Sequence, residues 1–209
     1  HNGDGWNPDS STRCTLFASE FFTGDDSVSV KSGKNPEGNV IARPSAHIRV
    51  FDCHSRFGYG ISIGSEMSGG VEDVQVWDCD LTNSFSGIEI KATAKRGGYV
   101  RGVTVRDCKA PRVMIHTVPY NDDGESAGVL PVLEHFTFEG LTLTGRALNN
   151  KREWKDVSPV ELAGFEGANR ALRDVNFDGL TITAKASRLP LQYCSEVTLR
   201  GVTCLPRRE

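Results

Sequence analysis

Ile48-Arg49-Val50-Phe51-Asp52-Cys53 is answered by Val74-Gln75-Val76-Trp77-Asp78-Cys79, and again by Val103-Thr104-Val105-Arg106-Asp107-Cys108. The three cysteines stand 26 and 29 residues apart. Looser copies end in Gly and an apolar residue: Phe136-Thr137-Phe138-Glu139-Gly140-Leu141, Val175-Asn176-Phe177-Asp178-Gly179-Leu180 and Val197-Thr198-Leu199-Arg200-Gly201-Val202. Each copy alternates with period two, the mark of a strand with one buried face. A second short strand recurs in the earlier units, as Val28-Ser29-Val30, Ile61-Ser62-Ile63, Ile88-Glu89-Ile90 and Val113-Met114-Ile115. Short strands, glycine-rich corners and a repeat near one coil in length predict an all-β chain wound as a parallel β-helix. The rival is an antiparallel sandwich, which would not repeat a phrase in register. Helical periodicity is suggested only over Glu161 to Leu172.

The 209 residues suffice for one well-buried domain, taken here as residues 1–209. Hydrophobic content of 38% and charged content of 24% are ordinary for a globular protein. The net charge of −3, with short and scattered basic runs, argues against a nucleic-acid partner. No apolar stretch reaches the length of a membrane span, so no membrane association is expected, and a monomer is. The chain opens at His1-Asn2-Gly3-Asp4, inside a motif-bearing region and without the polar cap a solenoid needs. It therefore reads as the C-terminal part of a longer β-helix, with an open edge at its first coil. Among the six cysteines there is no Cys-x-x-Cys spacing for zinc. Cys53, Cys79 and Cys108 are expected to stack as buried thiols that act as small hydrophobes. Whether Cys194 pairs with Cys204 is left open. No cofactor or metal is expected.

The coil register brings particular side chains together, because coils stack at roughly 4.8 Å. With Val28, Ile61, Ile88 and Val113 pointing inward, one outward column holds Lys31, Gly64, Lys91 and His116. A second holds Ser29, Ser62, Glu89 and Met114. Asp26, Tyr59 and Ser86 lie just before these strands. Asp4 precedes Asp25 by 21 residues, close to one coil, which sets it beside the Gly24-Asp25-Asp26 corner. Gly24 favours a corner in which both aspartates face out. Either motif alone reads as turn chemistry. Three carboxylates in register, beside a lysine column, read instead as an acid–base site. Crowded like charges resist joint ionisation, so one group can hold a proton while the others act as base.

Asn2-Gly3-Asp4-Gly5-Trp6-Asn7-Pro8-Asp9-Ser10-Ser11, followed by Thr23-Gly24-Asp25-Asp26-Ser27-Val28-Ser29-Val30-Lys31-Ser32-Gly33, resembles glycoside hydrolase family 28, the polygalacturonases and related pectin hydrolases. Ile63-Gly64-Ser65-Glu66-Met67-Ser68-Gly69-Gly70-Val71 and Arg96-Gly97-Gly98-Tyr99-Val100-Arg101 extend the likeness, toward the bacterial exo-acting members. It is close over roughly residues 2 to 120; beyond that, the chain matches only as further coils. The resemblance implies a right-handed parallel β-helix, a pectic polysaccharide or oligosaccharide as substrate, and hydrolysis with inversion. It gives Asp25 the role of general acid and gives Asp4 and Asp26 the activation of water. Asn2, Lys31 and Tyr120 fall at positions in or beside the cleft. It also implies an extracellular or periplasmic location.

Two departures bear on specificity. The family's Gly-His-Gly is here Gly58-Tyr59-Gly60, and its Arg-Ile-Lys is Glu89-Ile90-Lys91. Tyr59 can hydrogen-bond and stack but does not titrate near neutral pH. His54 is read as an ordinary corner residue. Glu89 would repel a galacturonate carboxylate. Either the sugar there is neutral, as in branched pectins, or Glu89 orients Lys91, which contacts the substrate. Tyr59, Glu89 and Lys91 are therefore substrate-binding candidates. Trp6, Tyr59, Tyr99 and Tyr120 are candidate sugar platforms. Two other functions stay open: a non-catalytic carbohydrate-binding β-helix, and a pectate-lyase-like enzyme with calcium held by Asp4, Asp25 and Asp26.

Overall fold

A computed structural model describes residues 2–117, 124–185 and 188–207. The repeated phrases form one seven-stranded sheet, in the spatial order Thr15–Phe22, Ser45–Phe57, Val71–Trp77, Tyr99–Arg106, Val132–Glu139, Leu172–Asp178 and Ser195–Arg200. The second strands form a six-stranded sheet: Val28–Val30, Gly60–Ile63, Gly87–Ala92, Arg112–Thr117, Val160–Ala163 and Leu191–Gln192. A third sheet holds Lys109–Ala110, Thr142–Leu143, Thr181–Ala184 and Thr203–Pro206. All pairing in these three sheets is parallel, between successive coils. The chain is a right-handed parallel β-helix.

The register matches the phrase alignment residue for residue. Ile48, Val74, Val103, Phe136, Val175 and Val197 stand in one column. All but Val197, on the final strand, are buried. The closing Asp or Gly of each phrase has a physical cause. Asp52, Asp78, Asp107, Gly140, Gly179 and Gly201 all have φ between 51° and 66°. That left-handed bend turns the chain toward the third sheet, and only Gly, Asp or Asn adopts it at small cost. A second left-handed position opens each phrase, at His47, Asp73, Gly102, His135, Asp174 and Glu196.

Cys53, Cys79 and Cys108 are buried in successive coils, each thiol donating to the carbonyl two residues earlier at 3.2–3.3 Å. Cys194 and Cys204 are not bonded to each other. The helical expectation at Glu161–Leu172 is corrected: the segment opens within the strand Val160–Ala163 and continues as turns to the next strand at Leu172. Its apolar spacing is that of a coil corner, with Leu162, Phe165 and Leu172 buried. A five-residue helix, Glu37–Ile41, occupies a loop instead. Arg146–Leu148 and Trp154–Asp156 form an antiparallel hairpin between the third and six-stranded sheets.

Candidate active site

The six-stranded sheet presents the site. Its register is Val28–Ile61–Ile88–Val113 inward, with Ser29–Ser62–Glu89–Met114 and Lys91–His116 as neighbouring columns. The Asp25-Asp26 corner is clamped from both sides by backbone. Gly5 N–H donates to the Asp26 carbonyl at 2.9 Å and Asp25 N–H to the Gly3 carbonyl at 3.3 Å. From the next coil, Tyr59 N–H donates to the Asp25 carbonyl at 3.0 Å. The Thr23 hydroxyl donates to that carbonyl at 2.8 Å, and Asp26 N–H donates to Asp25 Oδ1 at 3.0 Å. Gly58 makes this approach possible. With φ of 114°, a Cβ there would lie 2.3 Å from Thr23 Oγ1 and 2.4 Å from the Asp25 carbonyl.

Asp4, Asp25 and Asp26 come together, with one carboxylate oxygen from each lying within 4.8 Å of the others. Two of the three meet lysines. Lys31 Nζ donates to Asp4 Oδ2 at 3.3 Å, and Asn7 Nδ2 to the same oxygen at 2.8 Å. Lys91 Nζ donates to Asp26 Oδ2 at 2.9 Å and the Ser62 hydroxyl to Asp26 Oδ1 at 2.7 Å. Among the described residues no lysine or arginine is ion-paired with Asp25. Asp26 meets Ser62 and Lys91 of the outward columns, yet it is only 3% exposed. Lys91, reaching over from two coils away, makes that burial tolerable.

Burial pushes the Asp26 carboxyl above the ordinary aspartate range, and Lys91 and Ser62 offset only part of the rise. Burial alone would pull Lys31 down, but Glu66 and Asp4 outweigh it and hold the ammonium above its usual value. Glu66 Oε2 lies 3.7 Å from Lys31 Nζ. The three aspartates form a group that could geometrically hold a metal ion. The two ammonium groups already provide counter-charge to two of them, so the donor set is poorly suited to a divalent cation.

Glu89 is 5% exposed, and its Oε1 lies 2.6 Å from His116 Nε2. Burial would raise its pKa, but the His116 hydrogen bond and the Lys91 charge outweigh it and hold the carboxyl below the usual range. Among the described residues, its buried Oε2 has no hydrogen-bond partner within normal geometry. Tyr59 is 39% exposed, with its ring edge-on to Phe85 at 5.0 Å. Burial, and then Asp25 and Glu89, push its phenol up, so it stays protonated. Asn2 is exposed. Tyr120 lies outside the described residues. His54 sits on the seven-stranded sheet, away from the cluster. Tyr99 is engaged by Glu72 and Arg101, and Trp6 packs on the core. Sequence reasoning missed Asn7, Ser62, Glu66 and His116 as partners. Ser62 and His116 stood in the predicted columns, so their positions were available, but not the charges they would meet.

Fold and site together define a β-helical protein with a carboxylate centre on the outer face of its six-stranded sheet. The chain belongs to glycosyl hydrolases family 28, whose model matches residues 1–121. It is 44% identical over 107 residues to a probable polygalacturonase of Vitis vinifera, covering 50% of this chain and 22% of that protein. It is 28% identical over 233 aligned positions to an exo-poly-alpha-D-galacturonosidase of Dickeya chrysanthemi, covering 99% of this chain and 38% of that protein. A crystal structure of a hyperthermoactive exopolygalacturonase from Thermotoga maritima superposes with a TM-score of 0.81 at 28% identity, over 98% of this chain and 44% of that one. The chain thus spans less than half the length of these relatives.

Proposed function

We propose that this chain carries the acid–base centre of a glycoside hydrolase acting on pectic polysaccharide. The observation that supports it most is the unequal treatment of the three aspartates: among the described residues, two have lysine counter-ions and Asp25 has none. Asp25 is then the carboxyl assigned to proton delivery to the leaving glycosidic oxygen. Asp4 and Asp26, held beside their ammonium groups, take the proton from a water as it adds to the anomeric carbon. The raised Asp26 makes a stronger base than an ordinary aspartate. Inversion follows from the family resemblance. A proton spectrum of the first product, showing the anomer opposite to that of the cleaved bond, is the expected result.

Asp25→Asn in the full-length protein should lower turnover of pectic substrate by about 10²–10⁴-fold, with its unfolding midpoint unchanged. Full activity of that variant, or no reducing ends from any pectic polymer, would defeat the reading. Oligosaccharide binding without turnover would establish the binding-only alternative. Unsaturated products lost on chelation would establish a lyase.

The Glu89–His116 pair bears on the substrate. Where the family carries a guanidinium, this site carries a buried carboxylate already partnered by an imidazole. Among the described residues, the Glu89 position offers no cation of its own to a galacturonate carboxylate, which favours a neutral sugar at that subsite. Comparing homogalacturonan with branched pectins tests this: efficient cleavage of plain homogalacturonan would refute it. Lys31 and Lys91 act through Asp4 and Asp26, and Tyr59 and Asn2 line the approach. A pectic substrate supports an extracellular or periplasmic location, which fractionation of the producing cells would check, and light scattering would test the expected monomer.

A further inference from the structure

A second cavity lies away from the aspartates, on the outer face of the third sheet. It has a volume of about 390 Å³, within the range of small-ligand sites. Thr82, Asn83, Thr144, Thr183, Arg146, Trp154 and Arg207 line it, and none of these touches the aspartate cluster. Its floor follows from coil register. Asp80 pairs with Lys109, Lys109 with Thr142, and Thr142 with Thr181. Two residues further on, Thr82, Pro111, Thr144 and Thr183 therefore fall in one outward column, spanning roughly 14 Å at the coil spacing. The hairpin forms the wall. Trp154 is 41% exposed, and the Arg146 guanidinium sits over its ring at 4.8 Å. Arg207 closes the far end. One of its amino groups pairs with Asp156, while its Nη1 is buried and, among the described residues, makes no hydrogen bond. A buried cationic donor without an acceptor is costly, and a ligand oxygen would relieve it.

Hydroxyls and an amide in line, an aromatic face and two guanidiniums are the chemistry of an acidic sugar. The rings offer apolar C–H faces to Trp154, their hydroxyls meet the threonine column, and a carboxylate suits the arginine fork. We propose that this cavity is a second, non-catalytic binding site for a uronate-bearing oligosaccharide. The identity of the sugar rests on the pectic reading of the aspartate site; the site itself rests on the geometry of the cavity. Such a site would hold the polymer to the protein while another stretch is cleaved.

The test uses the full-length protein carrying Asp25→Asn, titrated with digalacturonate by calorimetry and by the indole N–H signals of its tryptophans. The Trp154 signal, assigned with Trp154→Phe, should shift on titration. Trp154→Ala or Arg207→Gln should each weaken that binding about tenfold without changing hydrolysis of short soluble substrates in the otherwise native protein. Arg207→Gln leaves the hairpin pairing intact, so it answers if Trp154→Ala folds poorly. An unmoved Trp154 signal, or affinity equal for an uncharged disaccharide or for inorganic phosphate, would overturn the proposal. Digalacturonate bound at Trp154 by a protein that cleaves no pectic polymer would defeat the catalytic reading and leave this one standing.

Discussion

Lys91 is the residue on which the electrostatics of the site turn. It joins a carboxylate two coils away, Asp26, and stands in the field of Glu89. Asp26 must be ionised to act as base, and burial already holds its carboxyl above the ordinary aspartate range. Lys91 is among the groups pulling it down. Lys91→Met removes that pull, so the acid limb of the kcat–pH profile should move to higher pH. The same variant leaves a buried carboxylate unpaired at neutral pH, which costs about 3–5 kcal/mol. That loss should shrink as the pH falls and Asp26 takes up a proton. An acid limb that stays in place would mean that Asp26 is not the titrating base.

At the scale of the element, the Asp25-Asp26 corner depends on its neighbours having no side chain. Gly58→Ala would push a methyl into the Thr23 hydroxyl and the Asp25 carbonyl, from a backbone conformation that alanine resists. It should lower kcat more than Asn2→Ala does, and lower the unfolding midpoint as well; circular dichroism melts beside rate assays would show both. The columns of the site sheet were legible in the sequence because strand alternation and coil length fix them without reference to side-chain partners. Val28, Ile61, Ile88 and Val113 were placed correctly on those two periods alone. The burial of Asp26 was not legible, because the lysine that permits it comes from two coils further along. Nor was the Glu89–His116 pair, which joins diagonal rather than level neighbours. The short helix Glu37–Ile41 escaped because five residues show too little periodicity. The apparent periodicity of Glu161–Leu172 misled because a buried coil corner also places apolar residues three and seven positions apart.

Across the whole molecule, charges on the outer face of the seven-stranded sheet join one coil to the next. Asp73 accepts from Arg49 Nη2 at 2.8 Å and lies 2.5 Å from His47 Nδ1, and His135 meets Asp174 in the same way three coils later. The Arg49 hydrogen bond leads in lowering Asp73 to about 2, against some opposition from burial, with His47 adding to the fall. A depressed folded pKa gives stability that is present above the ordinary aspartate value of 3.8 and is lost as the pH falls toward about 2. Asp73→Asn should therefore flatten the dependence of the unfolding midpoint on pH in that window and change little above it. A native and variant protein with parallel acid profiles would exclude this contribution. The cysteine column adds a property of the solenoid as a whole. Cys79 is pushed up to about 12, chiefly by its hydrogen bond with Cys108, and Cys53 is raised by its contact with Cys79. Thiols so far from ionisation and so well covered are unreactive while the coils stay stacked. Exposed Cys204 should be alkylated at once. Cys53, Cys79 and Cys108 should follow only as fast as their own rungs part from the ladder. Labelling each of the three in time, read by peptide mass, would turn the column into a clock for how the solenoid unzips and from which end.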